Sequence, residues 1–251
     1  MKPNVATPGT VRLAASLIGL ALLANPALAG DAAQFNPLGF SEDGRYFAFE
    51  EYGIQDGSGF PYANLTILDV ARDAWAAGSP LRIRLEDDTA SLADARGDAR
   101  TQAEPYFDTM AIATPALTVA LNGDGEPAGD GSLLSFGKPG YGLEGLQDPA
   151  TLTLTTTLPD YSGPCTTDYG LDPPVGYVLA LETAQGSTEL HADRSIPASR
   201  GCTVAYRLYG VFAPLDWAYK GLTPVAVLSV YTHGFEGPDR RFIAVPVTGY
   251  P

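Results

Sequence analysis

The chain has 251 residues, 28 of them glycine and 21 proline, and it carries 29 acidic against 15 basic side chains for a formal net charge of −14. An acidic balance of that size argues against nucleic acid and anionic lipid as partners, because both would be repelled. It suits solubility, or a cationic partner.

The elements follow in chain order. Lys2 and Arg12 supply a positive start, Leu13 to Leu23 is a short apolar run, and Ala27-Leu28-Ala29 is a small-x-small cleavage site. That pattern predicts a secretory signal peptide over residues 1–29. The apolar run is shorter than the roughly 20 residues that span a bilayer. Gly30, not cysteine, follows the site, so no lipid anchor is indicated. No later segment is long and apolar enough to cross a membrane. Residues 30–251 therefore read as a single β-rich domain, periplasmic or secreted. A domain of about 220 residues buries a core without help from metal or disulfide.

Ser41-Glu42-Asp43-Gly44 is a turn, and Arg45 to Glu51 and Asn64 to Val70 are strands around a glycine-rich loop, Gln55 to Pro61. Leu81 to Leu85 alternates apolar residues with Arg82 and Arg84, as a half-wet strand does. One helix is expected over Asp88 to Gln102, capped by Asp88 or Thr89, filled with alanine and ended by Pro105. Short strands follow at Leu117 to Leu121, Ser132 to Phe136, Thr151 to Thr157, Val175 to Glu182, Thr188 to His191, Thr203 to Phe212, Val225 to His233 and Arg241 to Val247. The predicted fold is mainly β, an antiparallel sandwich or curved sheet with one α-helix; the alternative is a degenerate, propeller-like arrangement.

Phe40 to Phe49, followed by Leu65-Thr66-Ile67-Leu68-Asp69, looks like one half-blade of a TolB-type propeller. A propeller would repeat that unit about every 40 residues, and no such period is present. Glu50 to Tyr62, with Gly234 to Phe242, is similar to a bacterial family of predicted secreted proteins of unknown function. That resemblance implies export and one architecture over nearly the whole mature chain, with no catalytic residue attached.

Cys165 and Cys202, the only cysteines, are expected to pair, as an even count in an exported chain usually does. The bridge would stabilise by about 4 kcal/mol on the loop-entropy model. Tyr52, Asp56, Phe60 and Tyr62 are the candidate ligand-binding residues, an aromatic and acidic group around the Gln55 to Pro61 loop that suits a sugar or peptide. Asn122, Asp124, Glu126 and Asp130 offer alternating oxygens for calcium, although Pro127 and Leu133 stand where an EF-hand wants glycine and glutamate. His191 and Asp193 share one strand face, but neither G-x-S-x-G nor H-E-x-x-H occurs. Gly140 to Gly145 matches G-x-G-x-x-G, but Pro149 prevents the helix that a pyrophosphate needs. Glu236, Asp239, Arg240 and Arg241 read as a local network fixing a hairpin, or as an anion site.

The combined expectation is a non-catalytic binding or interaction module of the bacterial envelope. No cofactor is required, and calcium is the one candidate ion. Its partner would be an envelope protein or small ligand. One alternative is an exported hydrolase using Glu51, Asp56 or His191. The other is a calcium-stabilised structural protein.

Overall fold

The computed structural model describes Met1 and residues 30–125 and 130–251. The signal-peptide segment and Glu126 lie outside the described residues. The first sheet comprises β1 (Gln34–Ser41), β2 (Tyr46–Ile54), β3 (Pro61–Asp69), β4 (Ala74–Trp75), β5 (Leu81–Arg84) and β6 (Ile112–Thr114). Its order is β4-β3-β2-β1-β6, with β5 also paired to β3. β7 (Ala116–Leu121) then enters the middle sheet. The third sheet comprises β8 (Leu133–Lys138), β9 (Gln147–Thr157), β10 (Gly176–Thr183) and β11 (Gly186–Ala192), in the order β11-β10-β9-β8. β12 (Thr203–Pro214), β13 (Val225–Thr232) and β14 (Asp239–Pro246) complete the middle sheet as β14-β13-β12-β7. Neighbouring strands run antiparallel throughout these sheets, as expected, and no barrel closes.

The side-chain alternation of the middle sheet shows how the layers stack. Val225 and Val227 of β13 pack with Phe47 and Phe49 of the first sheet. Ala226, Leu228 and Val230 pack with Leu152, Leu179 and Leu181 of the third. A strand covered on both faces needs an unbroken apolar run, and Val225 to Leu228 is one. The molecule is thus a stack of three sheets. The half-blade resemblance is not confirmed: β2 and β3 are adjacent strands of an outer layer, not one of a ring of blades.

Three strands went unpredicted, β1, β6 and β4, the last only two residues long. β1 carries Pro37 and is interrupted by a bulge between Pro37 and Gly39, which hides its alternation. Gly39 has φ 151°, and a Cβ there would lie 2.7 Å from the Thr114 carbonyl oxygen of β6, so only glycine lets these strands close. β6 is three residues long, too short for any periodic signal.

The long helix α1 (Leu92–Thr109) is displaced from its expected span. Ser91 caps it through a reciprocal pair with Asp94, while Asp87 accepts from the Thr89 amide and hydroxyl in a separate turn. The helix continues through Pro105 because Ala103, Tyr106, Phe107 and Met110 pack over Ala48, Leu65 and Ile67 of the first sheet. That burial outweighs the one hydrogen bond a proline cannot make. Two one-turn helices, α2 (Pro164–Thr167) and α3 (Trp217–Lys220), join later strands.

Glu50 of β2 ties α1 to the first sheet. It is fully buried, with Arg96 Nε and Nη2 donating to its two oxygens at 2.9 and 2.8 Å, Asn36 donating at 3.2 Å, and Arg100 3.6 Å away. Burial alone would raise its pKa; the Arg96 fork, Asn36 and Arg100 outweigh that and hold the carboxyl below the usual range. Arg96→Ala leaves this carboxylate buried without its fork. The expected loss is about 3 kcal/mol of unfolding free energy in a urea titration, the low end for a broken buried pair because Arg100 is near.

Candidate functional site

A cleft of about 1130 Å³ runs beside β14, the edge strand of the middle sheet. One wall is the first sheet, with Asn64 and Thr66 of β3, Trp75 of β4 and Arg82 of β5. The other is His191 of β11 with the turn from Pro197 to Cys202. Residues 241–245 of β14 lie between them. The Cys165–Cys202 disulfide, with Cα atoms 5.6 Å apart, fastens α2 to the start of β12 on this side. The expected pairing is therefore present, and it braces the cleft wall.

The first-sheet wall contains a buried charge network. Glu51 follows Glu50, so it projects from the opposite face of β2. Its Oε2 accepts from the Phe242 amide at 2.9 Å, and its Oε1 accepts from Asn64 Nδ2 at 2.9 Å with Arg241 Nε 4.0 Å away. Burial dominates and raises its pKa, with Asn64, Arg241 and the Phe242 amide opposing. Arg241 Nη2 pairs with Asp31 at 2.6 Å, and Tyr62 donates to the other Asp31 oxygen at 2.7 Å. The Arg241 guanidinium lies 4.9 Å from the Tyr62 ring centre. Burial pushes the Tyr62 hydroxyl far above the usual tyrosine range, keeping it a donor.

The opposite wall holds a second network. Asp193 lies 2.9 Å from His191 Nε2, accepts from Arg200 Nη1 at 2.6 Å, and accepts from the Tyr177 amide at 3.0 Å. Burial alone would raise its pKa; the bonds from His191, Arg200 and Tyr177 overcome that and lower it. An ionised carboxylate only accepts, so in the neutral ring Nε2 carries the proton and Nδ1 keeps its lone pair. The His191 ring stacks on Tyr177, with centroids 4.6 Å apart. His233 also lines the cleft, so both histidines of the chain reach it.

The structure separates the nominated ligand-binding residues. Tyr52 faces away from the cleft, its ring 3.8 Å from the Arg96 guanidinium. Tyr62 sits behind the wall, in the Asp31–Arg241 network. Asp56 and Phe60 lie in the loop between β2 and β3, outside the cleft lining. In the acidic loop, Asn122 Nδ2 donates to the Leu133 and Leu208 carbonyls, Asp124 pairs with Arg240, and Asp130 accepts from the Ser132 amide. Arg240 and Arg241 fix no local hairpin. They hold residues 31–33, with Arg240 donating to the Ala33 carbonyl. Sequence reasoning missed Asp31, Asn64, Arg82 and Arg200, whose partners or neighbours come from other elements.

Fold and cleft define a class: a mainly β protein of three stacked antiparallel sheets, with a cleft of mixed polar and apolar lining along the middle sheet's edge. The chain belongs to the family described as predicted secreted protein (DUF2259), whose model matches residues 48–248. No curated protein and no solved structure matches it.

The two buried carboxylates carry opposite pH signatures. Glu51 is raised, so its folded form binds a proton more tightly, and its contribution to stability falls as pH rises from the ordinary glutamate range to the raised value. Asp193 is lowered, so its contribution is present above the ordinary aspartate range and is lost as pH falls below it. Glu51→Gln is expected to gain stability relative to wild type as pH climbs through the glutamate range. Asp193→Asn is expected to close its deficit as pH falls below about 4. Urea titrations at several pH values read both, and parallel curves would contradict the assignment.

Proposed function

We propose that the protein is a non-catalytic binding module exported to the bacterial envelope, and that the β14 cleft is its ligand site. The observation that carries this reading is convergence. Trp75, Tyr169 and Phe235 are 51%, 68% and 95% exposed, and all three line the cleft that also receives Glu51, Arg241 and both histidines. Exposed aromatics scattered singly are ordinary, but three on one concave site form stacking surfaces beside groups that fix orientation. Both walls are held by buried ion pairs, so the site is formed before a ligand arrives and little ordering entropy opposes binding. Tyr62 takes part through Arg241, not by direct stacking.

A second reading, an exported hydrolase, is favoured by one feature. The carboxylate–imidazole pair Asp193–His191 and the buried Glu51 border the same cleft, an arrangement suited to general-base chemistry. Asp56 does not border it.

A thermal-shift screen of residues 30–251 against sugars, peptides and envelope fragments tests the binding reading. A ligand at a hundredfold excess over its Kd adds about 2.7 kcal/mol. The Trp75→Ala/Phe235→Ala double variant should keep the unliganded midpoint within about 2 °C, because both side chains are exposed, and should lose most of the ligand shift. A full shift in the variant would place the site elsewhere. Product release from a bound ligand, abolished in His191→Asn, would establish the hydrolase instead.

A further inference from the structure

The outer edge of β14 is closed one residue at a time. In the antiparallel ladder with β13, residues 240, 242 and 244 turn their backbone groups outward. Arg240 is paired there: its amide donates to Asp31 and its carbonyl accepts from Ala33. At Phe242 the Glu51 carboxylate accepts the amide, in the place a neighbouring strand's carbonyl would hold. Ala244 has no such partner among the described residues, and it lines the cleft. Pro246, next on that edge, has no amide to offer. The free stretch is therefore short. It presents the Phe242 carbonyl and the Ala244 amide and carbonyl, between two walls that both carry polar groups, with Trp75, Tyr169 and Phe235 also lining the cleft.

We propose that the cleft takes an extended peptide, which adds to the Phe242–Ala244 edge as a short strand. This rests on the cleft being the ligand site and names the ligand's class. Edge addition supplies main-chain hydrogen bonds without regard to sequence, and alternate side chains then reach the two walls. Trp75, Tyr169 and Phe235 meet the apolar ones. Arg82 sets a preference. It has no carboxylate within ion-pair distance among the described residues, unlike Arg200 and Arg241, and it stands on the first-sheet wall. A peptide bearing an acidic residue answers that cation. A sugar would use the aromatics and polar groups but has no need of an unpaired strand edge.

The test is a random heptapeptide library selected on residues 30–251, with the enriched peptides measured against three proteins. Ala244→Pro removes the outward amide, which bonds to nothing in the free protein, so the ladder to β13 is retained. The enriched peptides should be rich in acidic residues, bind Ala244→Pro at least about tenfold more weakly, and bind Arg82→Gln several-fold more weakly. On wild type they should slow hydrogen exchange at the Ala244 amide, a readout that stands even if the proline variant fails to fold. A library that yields no binder, or binders that leave Ala244 exchange unchanged, would overturn the proposal. An oligosaccharide that binds and is lost in Trp75→Ala/Phe235→Ala, with Ala244 exchange unaltered, would keep the cleft as the site and replace the peptide. Loss of all binding at the cleft would remove both.

Discussion

The constraint on which the rest depends is that the middle sheet is apolar on both faces. Val225, Val227 and Phe212 look one way, and Ala226, Leu228 and Val211 look the other. Each large side chain so buried contributes about 1.5–3 kcal/mol, but only if a further layer covers it. The first and third sheets are therefore obligatory partners, and polar chemistry has little room within the stack. It collects where the stack ends, at the β14 edge. That is where Asp31, Glu51, Arg240 and Arg241 are found, and where the cleft opens.

A bare edge beside an apolar core invites pairing with another chain. Here residues 31–33 and the Glu51 side chain cover part of it. The pairing of Asp31 with Arg241 joins positions 210 residues apart, so it closes the two ends of the domain against each other. The facing wall is fixed by different means, with the disulfide at Cys202 and the Asp193–Arg200 pair holding the same turn. The first wall is thus tied across strands, and the facing wall ties one turn to α2 and to the end of β11.

Much of the architecture was legible because local patterns match their environments. Alternation marked β3 and β5, and β-branched enrichment marked the strand from Val225, although not that both its faces are buried. The disulfide followed from cysteine count and export. The helix was legible in kind but not in place. Ser91 outcompetes Asp88 as a cap because Asp94 stands three residues beyond it, and Pro105 is overruled by packing that its own sequence neighbourhood does not reveal. The cleft was not legible as a site. Its parts come from β2, β3, β5, β11 and β14, and nothing local pairs Glu51 with the Phe242 amide 191 residues away. His191 with Asp193 was visible because strand alternation alone puts them together.

Glu50 and Glu51 show how one step along a strand places identical side chains in opposite environments. The two side chains are identical and both are buried. Alternation sends Glu50 under α1, where a two-pronged guanidinium contact and an amide lower its pKa, so ionisation there supports the fold. Glu51 goes to the cleft side, where it meets a backbone amide, an asparagine and an arginine no nearer than 4.0 Å, and its pKa rises. Glu50 thus serves as a fastening. Glu51 is held in a form that works against stability as it ionises, yet it occupies the position where the strand edge needs an acceptor. Burial there opposes ionisation, and the Phe242 amide that Glu51 satisfies supplies the compensation, because a buried N–H left without an acceptor costs about 1–3 kcal/mol.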